Sequence, residues 1–133
     1  MIVDDTDVRA WLAEYVSAFG ACGRGEADIS SLLGYHAVPL LVTTDAGFFP
    51  LTTEELVIAT MQQQIDGMLA AGFDHSEILD DALTVLNAVS ALYRATFSRR
   101  RADGGEISRF TASYLVTDGP AGRRISVLAV HSP

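Results

Sequence analysis

The chain has no lysine, a single cysteine (Cys22) and no apolar run near the ~18 residues of a membrane span. One cysteine excludes an internal disulfide; Cys22, near the expected end of a first helix, reads as a small buried hydrophobe. The missing lysine makes every cation an arginine, a bias that background composition explains without any appeal to function. Without an apolar span no membrane-crossing helix is expected, and the acidic segment MIVDDTDV has no signal-peptide core, which points to the cytoplasm. Positive charge is scarce: 17 acids against 9 arginines leave a net charge of −8. That balance argues against nucleic acid and against a membrane surface as partners. Neither a glycine-rich phosphate loop nor a serine nucleophile elbow is present. The three histidines are too scattered for ligand spacing, so neither a metal nor a cofactor is expected.

What is present is an ordered change of periodicity. Residues 1–133 fit one domain, long enough for a real core. Helical spacing predicts a first helix from Asp5 to Cys22, with Val8, Trp11, Leu12, Tyr15, Val16 and Phe19 on its apolar stripe. A short second helix is expected over 28–34. Ala37–Thr44 reads as a strand, with Asp45-Ala46-Gly47 as a turn and a return strand at Phe48 and Phe49 that Pro50 stops. A third helix is expected to start on Thr52 as N-cap with Glu55 completing a capping box. Leu51 and Leu56 would form a staple, Leu56, Ile58, Ala59, Met61, Ile65, Met68 and Leu69 would lie on the buried face, and Gly72 would end the helix. Four strands follow, about 76–87, 89–101, 106–117 and 123–131, linked by Asp-Gly turns.

Along the second of these strands Ala91, Tyr93, Ala95 and Phe97 share one face, and Arg94, Thr96, Ser98 and Arg100 the other. The third strand leaves two parities open: Phe110, Ala112 and Tyr114 inward, or Thr111, Ser113 and Leu115 inward, since one bulge would switch them. The last strand is apolar on both faces. Helices can cover one face, which leaves the other for a second subunit. The expected class is therefore α+β: a curved, mainly antiparallel sheet of four to six strands against three helices.

This order, with the Tyr15 region, the strand and turn LLVTTDAG, the capped third helix and the ending YLVTDGPAGRRISVLAVHS, resembles the cone fold of nuclear transport factor 2, the ketosteroid isomerases and the polyketide cyclases. The resemblance spans essentially the whole chain and points to an uncharacterised branch. In the isomerases a helix-one tyrosine and an acid on the third meander strand hold the enolate oxygen, and a second acid ends the first strand. By position the tyrosine is Tyr15, the proton-moving acid falls on Thr44 or Asp45, and the oxyanion-holding acid falls near Ser113. The oxyanion pair is broken, so an isomerase of that mechanism is not expected.

The resemblance implies a pocket between the first and third helices and the concave sheet face. Trp11, Phe19, Tyr93, Phe97, Val127 and Ala129 would line it, with Ser113, and with Thr44 and Asp45 at one edge. His131 shares the parity of Ile125, Val127 and Ala129 and would point inward as a general base or acid. Asp45 is the alternative base, although Asp before Ala-Gly is also an ordinary turn residue. Asp80 and Asp81 read as sheet-rim residues that could pair with Arg94 or Arg109. The run Ser98–Arg101 reads as a solvated or subunit-contacting edge.

Three functions follow. The first is a small-molecule-binding domain for an apolar ligand, homodimeric through the convex sheet face. The second is an isomerase, cyclase or dehydratase with Tyr15 as donor and His131 or Asp45 as proton carrier. The third is an association module with a filled core.

Overall fold

A computed structural model describes Ile2 and residues 4–131. Two helices and one 3₁₀ turn pack against a six-stranded sheet. The elements are α1 (Asp5–Gly23), the turn Ile29–Leu32, β1 (His36–Thr44), β2 (Gly47–Leu51), α2 (Glu54–Ala71), β3 (Phe73–Asn87), β4 (Ser90–Arg101), β5 (Glu106–Gly119) and β6 (Gly122–His131). The class is α+β as expected, but the expected second helix is only that single 3₁₀ turn.

Each helix starts where a side-chain oxygen can take an orphan amide. Asp4 accepts from the Thr6 amide at 2.9 Å and starts α1. Thr53, not Thr52, caps α2, accepting from the Leu56 amide at 3.2 Å. The one-residue shift puts Leu56 where a capping box needs Glu, so neither the box nor the Leu51–Leu56 staple forms. The buried stripe of α2 holds Met61, Ile65 and Met68 as expected and adds Val57, whereas Leu56 and Leu69 are exposed. Gly72, at φ +77°, ends the helix in the left-handed conformation. Where the helices approach, a Cβ on Gly23 would overlap the Met68 methyl group and touch Phe73, so a larger residue there would push the Met68 side chain aside.

The sheet order is β2-β1-β6-β5-β4-β3; every pairing is antiparallel except β1 with β6. β2 runs through Pro50 to Leu51 rather than stopping, since an edge strand tolerates a residue without an amide hydrogen. Bulges bend the sheet and reset which side chains face the helices. One lies in β3 between Ile78 and Asp80. Another places the extra residue Ser126 on β6, opposite the step from Leu115 to Val116.

The register across β3, β4 and β5 stacks the inward side chains in rungs. Ser76, Arg99 and Ser108 form one, Ile78, Phe97 and Phe110 the next, then Asp81, Ala95 and Ala112, then Leu83, Tyr93 and Tyr114. Ala95 and Ala112 are small residues between two aromatic rungs, so the sheet is hollow at that level. Among the described residues no helix is long and apolar enough to cross a membrane.

Candidate functional site

The hollow is a cavity of about 360 Å³ between α1, α2 and the concave face of the sheet. Its inner wall is apolar: Met61 and Met68 from α2, Val42 from β1, Phe97 from β4, Ala112 from β5 and Leu128 from β6. Thr44, Thr60, Gln64, Ser76 and Ser108 contribute the polar groups.

Two phenols face this space. Tyr15 is buried, and its hydroxyl bonds to Nε2 of buried His36 at 3.0 Å. Tyr114 packs edge-on to Tyr15, ring centroids 6.0 Å apart. Burial drives both phenols well above their usual pKa, so both stay protonated and can donate. The opposite sign holds for His36: burial disfavours the imidazolium and pushes its pKa down to about 4. His36 is thus neutral near pH 7, and its Nδ1 is buried without a hydrogen-bond partner. A neutral imidazole held against Tyr15 fixes the phenol's orientation.

Arg99 is the charged member of the wall. Alternation along β4 carries the inward face from Ala91, Tyr93, Ala95 and Phe97 to Arg99. Its guanidinium lies over the Phe110 ring at 4.7 Å and near Phe19 at 5.9 Å, and donates to Gln64 Oε1 at 3.2 Å. The basic run is therefore not one solvated edge. Arg100 bonds the Gly104 carbonyl and Arg101 the Ala71 carbonyl, tying down the hairpin and the end of α2, while Arg99 turns inward.

Of the residues expected at the site, Tyr15, Phe19, Thr44 and Phe97 line the cavity; the others do not. Trp11 packs on Tyr35, centroids 5.3 Å apart, to one side of the cavity. The Tyr93 hydroxyl is turned to Asp81 at 2.9 Å. Asp81 also takes Arg9 of α1 at 3.1 Å, so its partners are Arg9 and Tyr93 rather than Arg94 or Arg109. Asp45 is exposed in the β1–β2 turn, which Thr44 closes by accepting the Ala46 amide at 3.0 Å. Ser113 pairs with Arg94 and Ala129 on the convex face, because Phe110, Ala112 and Tyr114 are the inward set of β5.

Val127, Ala129 and His131 are displaced for one reason. Ile125 faces inward with Val116, but the extra residue Ser126 reverses the parity, so Leu128 and Val130 line the cavity instead. His131 consequently pairs with Thr111 on the opposite side. His36, Arg99 and Tyr114 were missed. The signal for Arg99 was the β4 alternation carried two residues further; for Tyr114 it was one of the two open parities. Nothing local marks His36, whose burial depends on α1.

Comparison with known proteins fits this geometry. A family profile described as NTF2-like protein (DUF6841) matches residues 4–133. The chain belongs to this NTF2-like family. No curated protein is significantly similar to it. Among solved structures, this NTF2-like chain is similar to an NTF2-like protein with a cystatin-like fold from Novosphingobium aromaticivorans. That pair has 18% identity and a TM-score of 0.70, covering 97% of this chain and 81% of the other. A protein of unknown function with a cystatin-like fold from Nostoc punctiforme gives 11% identity and a TM-score of 0.72, covering 94% and 90%. An NTF2-like protein of unknown function from Pseudomonas aeruginosa gives 14% and 0.71, covering 93% and 96%. At these identities the likeness is one of fold alone.

Proposed function

We propose that this NTF2-like chain is a small-molecule-binding domain whose ligand occupies the cavity between α1, α2 and the concave face. The observation that carries this reading is the hollow of about 360 Å³ at the level of Ala112, apolar inside and reached by the Tyr15 and Tyr114 side chains. Its size falls at the lower end of the range of small-molecule sites. An apolar, ring-containing body suits walls built from Phe97, Phe110, Met61 and Leu128. Among the described residues the cavity lining includes no carboxylate and no imidazole, which favours binding over the acid–base chemistry of an isomerase, cyclase or dehydratase. A hollow interior likewise speaks against an association module with a filled core.

The test is a thermal-shift screen of the whole chain with steroids and polyketide-like aromatics. At least one of these ligands is expected to raise the melting temperature in a concentration-dependent way. A flat response across both classes removes the reading.

We further propose a homodimer through the convex face, where Leu115, Val127 and Ala129 are half-buried on the side opposite the helices. Sedimentation of the wild-type chain should give twice the monomer mass, and Val127→Arg should return it to the monomer. A monomeric wild type refutes this.

A further inference from the structure

Among the described residues, Arg99 is the single charged side chain that lines the cavity, and none of them gives it a counter-charge. Its neighbours are satisfied differently. Arg100 has Glu77 and Glu106 within 3.7 Å, and Arg109 has Glu106 at 3.0 Å. None of the ion pairs between described residues includes Arg99. Its polar contact is the neutral amide of Gln64, and its guanidinium lies over the Phe110 ring with Phe19 nearby. Even half-burying a cation without an anion carries a cost, and the partial desolvation of Arg99 also works against its charged form. A guanidinium left in this state, beside an apolar hollow, is complementary to an anion that brings its own apolar body.

We propose that the cavity selects a small apolar carboxylic acid, with its carboxylate on Arg99 and its hydrocarbon body against the inner wall. The register supplies further donors beside Arg99, since Ser76 and Ser108 are its direct partners on β3 and β5 and both line the cavity. One guanidinium matches a monoanion, and its planar fork fits a carboxylate with two parallel hydrogen bonds. A phosphate monoester carries nearly two charges near pH 7 and would need a second cation, which the wall lacks. The inference rests on reading the cavity as a ligand site and adds the ligand's charge and shape.

The experiment is calorimetric titration of the whole chain at pH 7 with 2-naphthylacetate, its primary amide 2-naphthylacetamide and the alcohol 2-naphthaleneethanol. The acid is expected to bind about 10- to 100-fold more tightly than the amide, the span of a hydrogen-bonded charge. Arg99→Met, which keeps the stem packed on Phe110, should bind acid and amide alike. Arg99→Lys should retain part of the preference. Equal binding of acid and amide by the wild type overturns the carboxylate proposal and leaves the cavity reading standing. An undiminished acid preference in Arg99→Met also overturns it. If acid, amide and alcohol all fail to bind the wild type, both readings fall. The wild-type ratio needs no variant to fold, so it decides by itself if Arg99→Met is unstable.

Discussion

The concave face contains two contrasting levels. At the rung of Ser76, Arg99 and Ser108 the side chains are polar, half-buried and able to meet solvent. At the levels of Tyr93 with Tyr114 and of Ala91 with Val116 and Ile125 they are sealed, and two of the hydroxyls there are held in place, Tyr93 by Asp81 and Tyr15 by His36. Between the two lies the alanine level, which holds nothing large enough to fill it. The difference teaches that close packing and uncompensated charge are kept apart along one face of the sheet. The sealed end contributes close packing, while the polar end carries a charge the fold does not compensate.

Mutations can break this contrast, beginning at the sealed end. Ile125→Ala, at a fully buried position, should lower the unfolding free energy by about 2–5 kcal/mol in a urea titration. A loss below about 1 kcal/mol would mean that this level is not tightly packed.

Acid should act at the same end. The unfolded chain protonates His36 near pH 6.5, the folded chain only near 4. Below pH 6.5 the unfolded state therefore binds more protons, and stability falls as pH drops towards 4, by about 3 kcal/mol. Above pH 6.5 this group adds no pH dependence. His36→Gln should flatten that part of the profile, and an identical slope in the variant would assign the acid loss to other groups.

At the middle level, Ala112→Leu places its added atoms in the cavity. Stability should change by no more than about 1 kcal/mol, less than overpacking a filled core would cost, while binding of naphthyl ligands disappears. Retained binding would put the site elsewhere. The smallest effect belongs to the rim: Arg9→Ala should cost about 0.2–1 kcal/mol, the usual worth of an exposed ion pair, through loss of its contact with Asp81. A loss above about 2 kcal/mol would show that Asp81 depends on Arg9 to hold Tyr93.

Much of the architecture was legible from periodicity, because helix and strand patterns and Asp-Gly turns are local signals. The helical first half, the four-strand meander and the inward set Ala91, Tyr93, Ala95 and Phe97 all follow from spacing. The α2 cap was misread by one residue, since Thr52 and Thr53 are equally good caps in isolation and only the packing of Val57 and Met61 chooses between them. For the site, Tyr15 and Phe19 were accessible from the helix-one stripe. Val127, Ala129 and His131 were misplaced because a bulge carries no dependable residue signature, and one extra residue at Ser126 inverts every side chain after it.

The sequence by itself determined the two long helices and the strands, and that small alanines alternate with aromatics along β4. Those properties depend on neighbours within a few residues. Only the tertiary structure decided that Arg99 enters a cavity without a counter-ion, that His36 is buried against Tyr15, and that His131 lies on the other side of the sheet. Each of these depends on register between strands or on the docking of α1, and such contacts are set by packing across the fold rather than by local spacing.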